Sequence, residues 1–183
     1  MVNRSAEENS KSKKELLDSL TADEAYDVLL KLRKKNPDLE EKIYKIAMQV
    51  LSTVDTEDIK IDTYNALNSL DTEDLYNRSG KTRYGYIDPS DASWEMFEEA
   101  IEPLIHEMKK YQMRNMHVVA KNHCIGIIKG IREFEEESDS EFLDWVSDAP
   151  GEFIERVFDK WSEGNPSEED IVEVAKIKKG EEE

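Results

Sequence analysis

The sequence predicts an all-α fold: an antiparallel helix-pair array of about seven to nine helices, coiled as a right-handed superhelix, with a compact irregular bundle as the alternative. Three observations point there. Asp91 to Glu137 carries two long apolar periodicities separated by a short polar break near Gln112–Met116. The charged fraction is 37%, with only seven Gly and five Pro, which suits long solvated helices. No stretch sustains the apolar–polar alternation of a half-buried strand.

In the first arm of the central pair, Trp94, Phe97, Ile101, Leu104, Ile105, Met108 and Tyr111 recur at steps of three and four, one stripe of a 3.6-residue helix. In the second arm Ala120, Cys124, Ile127, Ile128, Ile131 and Phe134 make one stripe, and Val119, His123, Gly126 and Gly130 a neighbouring one. Two glycines four apart each cost about 1 kcal/mol of helix propensity against Ala, so they are expected to let another helix come close.

The remaining elements follow in order. Residues 1–11 are polar and are expected to be a disordered tail. Leu16, Leu17 and Leu20 form a short apolar face, and Thr21 with Glu24 reads as a capping box opening a helix through Tyr26, Leu29, Leu30 and Leu32. Asn36-Pro37 ends it and starts another carrying Leu39, Ile43, Ile46, Ala47 and Val50. Two near-copies, Asp55-Thr56-Glu57-Asp58 and Asp71-Thr72-Glu73-Asp74, read as helix starts in which Thr caps and the following acids meet the positive end of the dipole. After the central pair, Ser138-Asp139-Ser140 opens a short helix with Phe142, Leu143, Trp145 and Val146. Another helix carries Phe153, Ile154, Val157, Phe158 and Trp161, and Asn165-Pro166-Ser167 punctuates it from a last one with Ile171, Val172, Val174, Ala175 and Ile177. The expected organisation is a tail over 1–11, one helical domain over 12–164, and an acidic, loosely docked segment over 165–183.

The net charge is −18, and residues 133–183 alone hold 19 acidic against 5 basic side chains. Such a field repels nucleic acid and anionic lipid and favours basic partners. One cysteine, Cys124, cannot form an internal disulfide, and no run approaches the ~18 apolar residues of a membrane span. The cytoplasm is the expected compartment, with no membrane partner.

Asn77 to Ser90 reads as the one long irregular segment, a basic and aromatic island of Arg78, Lys81, Arg83, Tyr84 and Tyr86. Ser79-Gly80-Lys81-Thr82 looks like the end of a phosphate-binding loop, but Leu75 stands where that pattern needs glycine. Two geometries remain for the island. As a contact site its cations converge on one surface with a tyrosine ring beside them. As a clamp, which is the expectation, Arg78 and Arg83 pair with the chain's own carboxylates, and Tyr84 and Tyr86 are buried.

His106, His117, His123 and Cys124 are the candidates for metal or nucleophilic chemistry. Their spacing matches neither zinc ligands nor the paired Glu-x-x-His of a di-iron bundle, because Pro103 and Ala120 precede His106 and His123 by three. No catalytic, cofactor-binding or metal-ligating set is assigned.

Leu70 to Tyr86, SWEMFEEAIEPLIHEMKKY, HCIGIIKGI and FLDWVSDAP together resemble the helical region of uncharacterised bacterial and archaeal proteins, some of which carry a SWIM-type zinc finger. The resemblance spans about Leu51 to Trp161, and the finger itself, C-x-C…C-x-H, is absent. It implies a self-standing TPR-like or HEAT-like helical part used beside nucleic-acid-binding partners. The expected function is a protein–protein interaction scaffold without catalytic activity, requiring no cofactor. The alternative is an accessory protein of a nucleic-acid-linked system using the Arg78–Tyr86 loop. Direct nucleic-acid binding is not expected, the protein partner is unknown, and self-association is left open.

Overall fold

The structure, a computed structural model, describes Lys11, residues 13–83 and residues 85–181, and is all-α apart from one small hairpin. The contacts divide the chain into two compact units, Met1–Val50 and Leu51–Glu183. The expected single domain over 12–164 is therefore split inside its third helix, and the segment after 164 belongs to the second unit. The tail expected over 1–11 lies outside the described residues except for Lys11, which is helical.

In the first unit a short helix α1 (13–18) precedes α2 (Ala22–Lys35), a 3-10 turn (Pro37–Leu39) and α3 (Glu40–Leu51). The capping box is present: the Glu24 amide donates to the Thr21 hydroxyl at 3.3 Å and the Thr21 amide donates to the Glu24 carboxylate at 3.0 Å. Asn36 closes α2, its amide side chain donating to the Leu32 carbonyl at 3.1 Å. Local sequence thus sets the helix limits. Packing does not follow, because no residue of α2 or α3 is buried.

The second unit is organised around α7 (His117–Glu137), which packs against α4 (Thr56–Asn68), α6 (Pro89–Met113), α8 (Ala149–Ser162) and α9 (Glu168–Lys178). Its closest association is with α4, distant in sequence, rather than with a chain neighbour. Among the described residues this is one helix wrapped by others rather than a succession of stacked pairs, the arrangement of an irregular bundle.

The two glycines make the α4–α7 contact. A β-carbon built on Gly126 would lie 2.6 Å from Ile59 Cβ and 2.8 Å from the Thr56 carbonyl oxygen. On Gly130 it would lie 2.5 Å from Thr63 Cβ and 2.6 Å from the Lys60 oxygen. Ile59 and Thr63 share the four-residue spacing of the glycines, so one turn of α4 seats on one turn of α7. Thr63 is fully buried and donates its hydroxyl to the Ile59 carbonyl at 2.7 Å, so the close packing strands no polar atom there.

The starts of α4 and α5 (Thr72–Arg78) are capped one residue earlier than the sequence pattern suggests. The Asp55 carboxylate accepts from the Glu57 amide at 3.0 Å and Asp71 from the Asp74 amide at 2.8 Å, leaving Thr56 and Thr72 as first helical residues. Aspartate and threonine both cap well; the carboxylate gains the extra charge–dipole attraction. The α6–α7 pair and its break are as the periodicity predicts. Asn115 sits at φ 57°, and the Met116 amide donates to the Tyr111 carbonyl at 3.0 Å, closing α6 with a left-handed residue that asparagine tolerates.

On the other side of α7, Phe97 meets Phe134 (6.2 Å between ring centroids) and Phe153 (4.8 Å), and joins α6, α7 and α8. Helix α9 is docked rather than loose. Val174 is fully buried, Lys121 of α7 binds Asp170 (2.6 Å) and Glu173 (2.9 Å), and Arg132 donates to the Lys178 carbonyl at 2.6 Å.

The glycine contact yields a sign that helix propensity alone would get wrong. Gly151 has nothing within 4 Å of a built β-carbon. Gly151→Ala is expected to leave stability unchanged or raise it by up to about 1 kcal/mol. Gly130→Ala, which must move backbone, is expected to lower it by about 1–3 kcal/mol in chemical denaturation.

Candidate functional site

The island foreseen as an irregular loop is a β-hairpin. Strand β1 (Gly80–Thr82) pairs antiparallel with β2 (Gly85–Ile87), with Lys81 opposite Tyr86. Glycines at φ 88° and 142° open the two strands, a backbone that side chains at those points would strain. Arg78, at the end of α5, donates to Glu99 of α6 at 2.6 Å, as the clamp geometry requires. Tyr86 does not follow that geometry: it is 70% exposed, beside the exposed Lys81. Arg83 is also exposed, at the turn, and Tyr84 lies outside the described residues. The hairpin is therefore anchored at its base and presents a cation and an aromatic ring along its length.

The His/Cys candidates are dispersed. His106 and His117 are exposed, whereas His123 and Cys124 are buried in α7. The described residues hold no group of three or more His, Cys, Asp or Glu side chains placed to share a metal ion. Burial pushes the Cys124 thiol well above its ordinary range, so it is held as the thiol, a poor nucleophile. The His123 ring lies 4.9 Å from that of Tyr111, and neither of its nitrogens has a hydrogen-bond partner among the described residues. Burial holds its pKa below the ordinary value; Glu107 opposes that effect and Lys110 adds to it.

A groove of about 710 Å³ runs beside α9. Its lining has Val172 and Ile177 among Glu168, Glu169, Glu173, Glu181, Lys129 and Lys176. It offers charge and aliphatic surface but no nucleophile beside a base.

A further feature was not legible from periodicity. The helices of the first unit bury no described residue against one another, and Leu16, Leu17, Tyr26, Leu29, Leu30, Leu32, Ile46 and Val50 are all exposed. Stripes of this kind mark surfaces that associate. A signal for them exists in the sequence: residues 1–50 hold ten acidic and ten basic side chains, so the whole net charge of −18 belongs to residues 51–183.

The buried imidazole sets a pH dependence. The unfolded chain binds this proton more readily than the folded one, so stability is retained at neutral pH and falls as the pH drops below about 6.5, the ordinary histidine value. His123→Phe keeps a ring against Tyr111 and is expected to flatten the fall between about pH 7 and 5 in melting temperature measured against pH. Comparison with protein-family models, with curated proteins and with solved structures finds no match for this chain.

Proposed function

We propose that this chain is a protein–protein interaction scaffold with no catalytic activity of its own. The observation that carries the reading is the first unit: three short helices, of which α2 is capped at both ends, with apolar stripes that they do not bury against one another. A helix shorter than about 12–15 residues gains most of its stability from packing an amphipathic face, so these faces call for a cover. The second unit supports the reading from the other side, as a bundle whose only thiol is buried and protonated. The double variant Leu29→Glu, Leu32→Glu tests it, since both positions are exposed and the substitutions should leave the melting of the second unit unchanged. Affinity capture with wild-type bait is expected to recover a defined partner, or further copies of the chain, that the variant bait loses. Identical recovery by both baits would remove the reading.

The exposed Lys81–Tyr86 pair favours a second reading, an accessory role in a nucleic-acid-linked system, which also suits the resemblance to uncharacterised proteins some of which carry a SWIM-type finger. With Arg78, Lys81 and Arg83 as the cations, the salt slope of binding to a single-stranded oligonucleotide should stay below about 3 in magnitude. In fluorescence anisotropy at low salt, replacing all three by Ala is expected to abolish binding with little change in melting temperature, because the Arg78–Glu99 pair is about half exposed and worth at most ~1 kcal/mol. A large drop in melting temperature would instead make the hairpin a structural clamp.

A further inference from the structure

The partner of the first unit can be read from its charge order. This inference rests on the interaction reading above and names the occupant. Along α2, Asp23, Glu24 and Asp27 occupy the first half, and Lys31, Arg33, Lys34 and Lys35 the second. At about 100° per residue, Tyr26, Leu29 and Leu30 fall on one stripe with Leu32 beside it; Arg33, paired with Glu40 at 3.6 Å, falls inside that stripe, Val28 lies away from it, and Asp23, Asp27 and Lys34 line one edge. The edge changes sign near the middle of the helix.

A helix of this design has a specific complement. A uniformly acidic or uniformly basic partner would match one half of α2 and be repelled by the other. A partner running antiparallel with the same sequence matches both: about a two-fold axis between Val28 and Leu29, Asp23 of one copy stands opposite Lys34 of the next. Parallel pairing about a two-fold axis would set this edge against the opposite one, where Leu32 stands, and leave its charges without complements. Helix α1 has the same property in reverse order, with Lys13 and Lys14 before Glu15 and Asp18. The apolar area to be covered extends beyond α2 through Leu16 and Leu17 of α1 and Ile46 and Val50 of α3. Net charge favours the same face. Copies meeting through residues 51–183 would set −18 against −18, whereas residues 1–50 are neutral.

We propose that the chain forms a two-fold symmetric homodimer through the first unit, with α2 packed antiparallel against α2 of a second copy and Asp23 facing Lys34 across the axis, Lys31 lying within one residue of Asp27 in register but further round the helix. The test uses the full chain. Sedimentation equilibrium of the wild type is expected to give twice the 21.2 kDa monomer mass. Asp23→Lys with Asp27→Lys makes the α2 edge wholly basic, and Lys31→Glu with Lys34→Glu makes it wholly acidic. Each double variant alone is expected to dissociate at least about tenfold more readily, and an equimolar mixture of the two to recover the dimer. The mixture is the arm that a merely destabilising substitution would not rescue. A wild-type chain that stays monomeric, or variants that dimerise like wild type, would overturn the homodimer. Hydrogen exchange on the monomer then separates the two ideas. Unprotected amides in α2 together with partner capture that depends on Leu29 and Leu32 would keep the interaction reading with a different occupant. Protection of α2 in the isolated monomer would mean that the chain covers this face itself, and both would fall.

Discussion

Two glycines on α7 set the distance at which α4 lies, and the second unit depends on that distance. Gly126 and Gly130 remove the side chains that would hold the helices apart, and Ile59 and Thr63 occupy the space. Interiors are packed like organic crystals, so an approach fixed at one contact constrains the next. With α4 seated on one side, α7 is left with Ile127, Ile131 and Phe134 for the remaining helices, all fully buried. The aromatic contacts of Phe97 with Phe134 and Phe153 then tie α6 and α8 to it.

Electrostatics in this unit works with few cations against many carboxylates, and several of those cations span two helices. Lys60 of α4 meets Glu133 of α7 at 3.3 Å, and Arg156 of α8 meets Glu98 of α6 at 2.7 Å. Lys178 of α9 meets Glu155 of α8 at 2.6 Å, and Lys121 holds the start of α9 with two carboxylates. The exposed members are worth little individually. Lys121, with its side chain largely sheltered, is the stronger case: the hydrogen bonds it donates to Asp170 and Glu173 raise its pKa, and Lys121 lowers that of Asp170. Cations placed between helices thus offset a self-repulsion that the same number of cations on open surface would leave in place.

What the sequence discloses here is local. The Thr21–Glu24 box, the end of α2 at Asn36, the α6–α7 break and the small-residue row on α7 all follow from steps of three and four along the chain or from residues with special backbones. What stays hidden depends on distant groups. That α4 is the helix received by Gly126 and Gly130 is a contact across some seventy residues. The docking of α9 rests on Lys121, which binds a residue 49 positions away. The hairpin escapes because strands of three residues leave too short a pattern to detect. In the first unit the stripes were legible as stripes, yet periodicity says which face of a helix is apolar and nothing about what covers it. The candidate site was legible to the same degree: Arg78 takes the carboxylate partner its charge calls for, while Tyr86 stays in solvent.

The buried thiol at position 124 gives the molecule a chemical memory of its own opening. Cys124 is fully enclosed in α7, the helix on which α4, α6, α8 and α9 all pack, and it is the chain's single cysteine. A thiol reagent can reach it only when that helix is uncovered, so the rate of modification is governed by the free energy of opening the centre of the bundle rather than by fraying at its edges. Once modified, the enlarged side chain has no room to return, and a transient excursion becomes a permanent mark. A population of molecules exposed to oxidant or electrophile would therefore record how often its core has opened.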